Sequence, residues 1–218
     1  MQSIEDAAAI AQAYRTTGYA AMPGYFSRAL CAEMTAQFIV DMARGGTTAR
    51  ERNSLLVPGN PLELHSNGYS PLRTLHWGMT PAISTITGCA LVPSYGYFRL
   101  YKRGDVLRVH SDRKACEHSL SLVLMLKDDV PWALEIATAD TPASNRGVSE
   151  DFGDAAYESV PQNVGDALLY PGITRRHGRM TPNPNAGSMH LFLHWVDGEG
   201  PYQEHAFDRG GRRSAAGH

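Results

Sequence analysis

The chain has 218 residues, 43% of them hydrophobic, which is enough for one sizeable core and too few for two ordinary domains without a visible seam. Lys and Arg total 20 against 22 Asp and Glu, a formal net charge of -2, so no global field favours a nucleic-acid backbone or an anionic membrane surface. No apolar run reaches the roughly 20 residues of a membrane-spanning helix, and the N-terminus lacks the basic and apolar regions of a secretion signal, so the expectation is a single cytoplasmic domain over residues 1–218.

In chain order, Ser3 with Asp6 reads as a capped start to a first helix, with Ala7, Ala8, Ala11 and Tyr14 on one face and Gly18 as its stop. Tyr19 to Met22 reads as a short strand. A second helix follows Ser27, with Leu30, Met34 and Phe38 at four-residue spacing, and ends near Gly45 and Gly46. From Thr47 to Ser70 the chain is polar and rich in Gly, Pro and Asn, a long loop placed to act as a lid. Thr80-Pro81 is expected to open a short third helix.

The pattern changes at Tyr95. Tyr95 to Lys102, Leu107 to His110, Ser119 to Lys127, Ala133 to Ile136, Ala167 to Tyr170 and Met189 to Val196 are short apolar or aromatic segments between turn residues, the signature of strands. Ala137 to Gly153 reads as a mobile insertion. Helices followed by many short strands predict an α+β, mainly β fold: a jelly roll with the N-terminal helices packed on one sheet. The expected division is helical support over about 1–92, a β core over about 93–198 and a frayed tail over about 199–218 that contains Arg209, Arg212 and Arg213.

The chemistry is expected at the end of one strand. In His110-Ser111-Asp112 the outer residues lie two apart, so in an extended chain an imidazole and a carboxylate project to the same side. Further on, Gly165 to Gly172 reads as strand and turn, and His177 follows it, where a third ligand could enter from a neighbouring strand. Two imidazoles and one carboxylate make the facial set that suits Fe(II) and leaves coordination positions open. A structural zinc site would close its fourth position, usually with cysteine. Cys31, Cys89 and Cys116 are odd in number, widely spaced and not suitably placed for that, so they read as buried or idle thiols.

The run from Tyr97 through Tyr101, Gly104, His110 and Asp112 to Arg113 resembles the Y-x-x-G-x-x-x-x-x-H-x-D stretch of the prolyl-hydroxylase-like branch of the 2-oxoglutarate and Fe(II)-dependent dioxygenases. Gly165-Asp166, His177 and His194-Trp195 fall in the family's order. The likeness is nearest to small members that carry H-x-D-R, C-E-x-S, H-x-R and F-L-H-x-V-D, here His110 to Arg113, Cys116 to Ser119, His177 to Arg179 and Phe192 to Asp197. It spans roughly Gly18 to Gly200. It implies a double-stranded β-helix, His110, Asp112 and His177 as iron ligands, 2-oxoglutarate as co-substrate with ascorbate as an optional reductant, and hydroxylation with release of succinate and CO2. Asp112, a carboxylate where the related halogenases have alanine, favours hydroxylation.

One departure stands out. The family usually places an arginine or lysine beyond the distal histidine and upstream of a tryptophan, to grip the far carboxylate of the co-substrate; counting back from Trp195, that position is Met189. Met125 likewise stands where a central-strand tyrosine is usual. Arg179, two residues after His177, is the expected substitute, with Tyr101 and Ser121 completing the carboxylate's hydrogen bonds and His190 on the opposite parity.

Blander roles stand beside these. Tyr101, His194 and Trp195 can serve as core residues, Arg179 can lie on the surface beside Arg175 and Arg176, and Arg99, Lys102, Arg103 and Arg108 read as a strand's wet side and a turn. Arg113, Lys114 and Glu117 fall at the expected mouth, as substrate contacts or as a solvated turn. A second functional class, a cupin-like metal-binding protein acting as isomerase, hydrolase or ligand sensor, shares the barrel and the triad. A small-molecule or peptidyl substrate is expected; neither its identity nor the oligomeric state follows from the residues.

Overall fold

The computed structural model describes residues 4–45, 49–52, 54–142 and 147–211. The Ser3 cap and Arg212 and Arg213 lie outside them, as does part of the expected insertion. Three helices, α1 (Ile4–Thr17), α2 (Arg28–Ala43) and α3 (Ser70–Thr87), are interleaved with or followed by eleven strands in two antiparallel sheets. The larger sheet has seven strands, ordered β1 (Ala20–Met22), β9 (Ala167–Tyr170), β6 (His118–Leu126), β11 (Gly187–Asp197), β4 (Leu91–Lys102), β3 (Leu62–His65) and β2 (Arg50–Glu51). The smaller has four, ordered β5 (Leu107–His110), β10 (His177–Arg179), β7 (Leu134–Ala137) and β8 (Tyr157–Val160). This is the mainly β architecture expected of a double-stranded β-helix.

Alternation along the strands sorts the side chains of the large sheet between two cores. Phe98, Leu120, Leu122, Leu124, Leu169, Leu191, Leu193 and Trp195 face outward and pack with Ile10, Phe38, Leu72, Met79 and Ile83 of the helices. Tyr101, Leu168, Tyr170 and Phe192 face inward and pack with Leu107, Trp132, Leu134 and Ile136 across the gap to the small sheet. The inner face is therefore free to carry polar groups in a sheltered space between the sheets.

Several local expectations need correction. Within α2 the buried residues are Cys31, Thr35 and Phe38, while Leu30 is 45% exposed, because the face toward the sheet is offset from the stripe read in the sequence. Ser27 does cap the helix, accepting from the Leu30 N–H at 3.2 Å. The third helix begins at Ser70, with Pro71 in its first turn, and Pro81 lies in its interior. The expected loop from Thr47 to Ser70 contains β2 and β3, because Leu62 to His65 pairs with β4 and extends the large sheet. Within the expected insertion, Ser149 bridges Val109 and Phe152 is buried. Residues 203–211 form 3-10 turns rather than a frayed tail, held by Asp208 on Arg113 at 2.6 Å and by Phe207 stacked on Trp77.

Two buried histidines distant from the inner face make the fold acid-sensitive. The Tyr14 hydroxyl, kept neutral because burial raises its pKa, lies 2.7 Å from Nδ1 of His118, and burial depresses the pKa of His118 to about 4. Burial likewise depresses His76 to about 3. Unfolding returns both toward 6.5, so the unfolded chain binds the extra protons; stability is full above pH 6.5 and falls as pH drops toward 4. Urea midpoints measured at pH 7.5 and pH 5 are expected to drop at the lower pH, each histidine contributing up to about 1.4 kcal/mol per pH unit. A flat profile would contradict the neutral burial of these rings.

Candidate active site

His110 ends β5 and His177 begins β10, and the ladder between these strands sets the two residues directly opposite each other. Their rings lie 4.4 Å apart, centroid to centroid. Asp112 follows in extended chain, its N–H donating to the Gly172 carbonyl at 2.8 Å. Glycine is needed there: a Cβ on residue 172 would stand 2.4 Å from Asp112 Oδ2 and 2.5 Å from Ser119 Oγ. Asp112 Oδ1 is 3.5 Å from His110 Nε2, and Asp112 Oδ2 is 3.8 Å from His177 Nε2. The three candidate ligand atoms all lie within 4.8 Å of one another.

Each imidazole is held by the backbone two residues earlier in the chain. His110 Nδ1 is 2.8 Å from the Arg108 carbonyl, and His177 Nδ1 is 2.9 Å from the Arg175 carbonyl. A carbonyl only accepts, so both Nδ1 atoms carry the proton and both Nε2 lone pairs are left to face Asp112. Burial lowers the pKa of His177 to about 4, with His110 adding to the effect, so the ring is neutral and ready to ligate. Burial opposes the charge of Asp112, yet the positive charge that His177 carries when protonated, with a hydrogen bond and charge from His110, outweighs that and holds its carboxyl well below the usual range. The donor set is thus two imidazole nitrogens and one carboxylate, sheltered and convergent, which fits a divalent iron.

Ser119 steadies the carboxylate, donating to Asp112 Oδ2 at 3.1 Å, and lies 2.8 Å from His194 Nδ1. A second group, Asp112, Cys116 and His194, also brings its ligand atoms within 4.8 Å of one another. Cys116, expected only as a buried or idle thiol, is a buried free thiol that stands beside Asp112, with Sγ 3.2 Å from the Tyr95 hydroxyl. Its link to Asp112 depends on the 3-10 turn at Lys114–Cys116, which folds the chain back and which spacing alone does not announce.

A cavity of about 460 Å³ opens over the triad. Its wall includes Tyr95, Tyr97, Tyr170 and Phe192, with His194, Arg99 and Arg113. Tyr97 stacks on Phe192 at 4.9 Å and on His65 at 5.1 Å, forming an aromatic floor. Arg99 is no wet-side residue: it is 6% exposed and bound to Glu63, Nε at 2.8 Å and Nη2 at 2.6 Å from one oxygen. Glu63 was missed because the segment holding it read as loop. At the rim, Arg113 lies 4.1 Å over the Tyr95 ring and pairs with Asp208. Glu117 accepts from the Asp197 N–H at 2.8 Å, a structural tie, and Lys114 lies 5.9 Å from the Tyr202 ring.

Arg179, Tyr101 and Ser121 are all completely buried, and none of them lines that cavity. Arg179 donates to the Trp132 carbonyl at 2.7 Å and to Gln162 Oε1 at 2.6 Å, and lies 4.8 Å over the Trp132 ring. No carboxylate pairs with it among the described residues, and its Nε has no partner. Burial pulls its pKa down to about 10, so it stays a cation. Gln162 links it to Ser121, whose backbone carbonyl Gln162 reaches at 3.4 Å and whose hydroxyl has no partner. Tyr101 accepts from Arg99 Nη1 at 3.0 Å. The parity assigned to His190 is corrected: its ring faces inward, Nδ1 3.3 Å from Arg179 Nη2, while Met189 packs outward with the helices. An interior cation with no carboxylate in ion-pair contact among the described residues, Glu135 acting on it only at longer range, and with a spare N–H fits one end of a dicarboxylate.

No protein-family model matches the chain, and no curated protein matches it in sequence. Its fold is similar to that of SnoN, a non-haem α-ketoglutarate-dependent epimerase of nogalamycin biosynthesis, with TM-score 0.69 and 15% identity over 89% of this chain and 82% of that one. A prolyl-4-hydroxylase from Pseudomonas putida matches with TM-score 0.62 and 14% identity over 88% of this chain and 98% of that one. The chain has the fold of the 2-oxoglutarate and Fe(II)-dependent oxygenases. HygX from Streptomyces hygroscopicus, solved with nickel and 2-oxoglutarate bound, matches with TM-score 0.62 and 12% identity over 90% of this chain and 88% of that one. No helix among the described residues is long and apolar enough to cross a membrane.

Proposed function

We propose that the chain is an Fe(II) and 2-oxoglutarate-dependent dioxygenase that hydroxylates a small-molecule or peptidyl substrate held in the cavity over His110, Asp112 and His177. The observation that carries this reading is the convergence of those three ligand atoms within 4.8 Å, with both Nδ1 atoms committed to backbone carbonyls, in a fold shared with such oxygenases. Bound iron with 2-oxoglutarate would supply the oxidising equivalent for C–H hydroxylation, with release of succinate and CO2, and ascorbate is an optional reductant. The protein's own part is orientation. Ser119 holds one carboxylate oxygen of Asp112, the carbonyls of Arg108 and Arg175 fix the two rings, and the aromatic floor turns a substrate face toward the triad.

In this reading Arg179 takes the far carboxylate of 2-oxoglutarate, because it is a buried cation with no carboxylate in ion-pair contact among the described residues, whereas Arg99 already has Glu63. The Ser121 hydroxyl on β6 and Tyr101 on β4 belong to the large sheet, across the gap from Arg179 on β10 of the small sheet, and complete that carboxylate's hydrogen bonds. A cytoplasmic setting is part of the proposal, supported by three cysteines that are all free thiols. Addition of Fe(II) and 2-oxoglutarate under anaerobic conditions is expected to give the weak visible charge-transfer band of the chelate. A screen of amino acids, peptides and small metabolites for succinate release then finds the substrate class. Absence of the band in iron-loaded protein would refute the dioxygenase reading.

A further inference from the structure

A second cavity, of about 390 Å³, opens where α3, the start of β4 and the C-terminal 3-10 turns meet. Arg73, His76, Trp77, Ser94, Phe207 and Arg209 are among its lining residues, and no acidic side chain lines it among the described residues. Neither Arg73 nor Arg209 has an ion-pair partner among the described residues. In a chain of net charge -2, two unpaired guanidinium groups sharing one cleft are not a by-product of excess basic residues. An anion in the cleft is attracted by both.

The surroundings are built rather than loose. Trp77 and Phe207, 53% and 42% exposed, stack at 5.9 Å and 28°, and the Arg209 guanidinium lies 4.7 Å from the Phe207 ring. Stacking on a ring face holds a guanidinium while leaving its N–H edges free to bind in the ring plane. His76, only 3% exposed, lines the same cleft with an Nε2 that has no hydrogen-bond partner. Burial keeps this ring neutral, and it interacts with the backbone of His194. A neutral imidazole with one nitrogen unengaged is an open hydrogen-bonding position in an otherwise cationic cleft.

We propose that this cleft is a second ligand site, distinct from the triad cavity, that takes a small oxyanion of the hydrogen-phosphate or hydroxycarboxylate type, with Arg73 and Arg209 on its oxygens and His76 accepting from its hydroxyl. The site has a route to the triad cavity. Asp208, between Phe207 and Arg209, pairs with Arg113 at 2.6 Å, and Arg113 lies over Tyr95 in the wall of the other cavity. An anion that fixes the Phe207–Arg209 turn holds Arg113 in place.

Trp77 provides the readout, because Trp132 and Trp195 are buried. The full chain, with no metal added, is titrated with inorganic phosphate and with citrate, against potassium chloride at matched ionic strength, and tryptophan fluorescence is followed. A saturable change with phosphate or with citrate, absent with chloride, is expected, and the more effective anion identifies the class. Arg73→Met and Arg209→Met each weaken the midpoint by at least about tenfold, as loss of a charge-assisted hydrogen bond predicts. In Trp77→Phe, calorimetry still detects the binding. A response equal to that of chloride, or a midpoint unmoved in both arginine variants, overturns the proposal. No metal is needed for the measurement, so its outcome is independent of the dioxygenase reading.

Discussion

His177→Ala is expected to abolish both the Fe(II) and 2-oxoglutarate band and all succinate release, with metal affinity falling by more than about 100-fold. Loss of residues that merely orient ligands costs about 10- to 100-fold, and His177 is placed to be a ligand itself. Its Nε2 lies 3.8 Å from Asp112 Oδ2, and its Nδ1 is committed to the Arg175 carbonyl. Of the triad only Asp112 and His110 would remain, two ligands from one strand end. Metal content per chain after desalting and the anaerobic spectrum check this directly. A variant that retains iron and the band would remove His177 from the site.

Arg179→Met is expected to leave the metal in place and to raise the 2-oxoglutarate concentration needed for half-saturation by about 100-fold or more. Two charge-assisted hydrogen bonds contribute about 1.5 to 3 kcal/mol each, and every 1.4 kcal/mol is about tenfold. The stability readout separates this residue from its neighbour. Arg179 is an interior cation with no carboxylate partner, so removing it relieves desolvation and forfeits hydrogen bonds to Trp132 and Gln162, and these oppose each other. The unfolding free energy therefore moves little. Arg99→Met leaves the buried Glu63 carboxylate with the half-exposed His65, 3.2 Å from its Oε2, and is expected to lose stability by up to about 3 kcal/mol. If Arg179→Met leaves co-substrate affinity unchanged while Arg99→Met loses it in protein that remains folded, the carboxylate grip belongs to Arg99.

Much of the triad was readable in advance because ligand convergence depends on local geometry. Residues 110 and 112 stand two apart at a strand end, and that spacing alone turns both toward one side. The β9 strand, Ala167–Tyr170, and the stop of α1 at Gly18, whose φ is +79°, were also legible, since an apolar run bounded by turn residues and a left-handed glycine are decided within a few residues. The C-terminal segment was not legible. Its 3-10 turns are held by Arg113 and Trp77, partners far away in the chain that no periodicity connects to it.

The sequence by itself determined the fold class, the strand-end placement of His110 and Asp112, and the candidacy of His177, because alternation and turn chemistry are short-range. Only the tertiary structure decided which face of each strand looks inward. The ladders of β11 shift register between His194 and Trp195 and between Met189 and His190, and in the folded sheet His190 stands beside Arg179 while Met189 packs under the helices. Arg99 looked solvated until β3 supplied Glu63 from a segment that read as loop. Whether a charge is buried, and with what partner, depends on chain segments brought together across the sheet, and no local pattern carries that information.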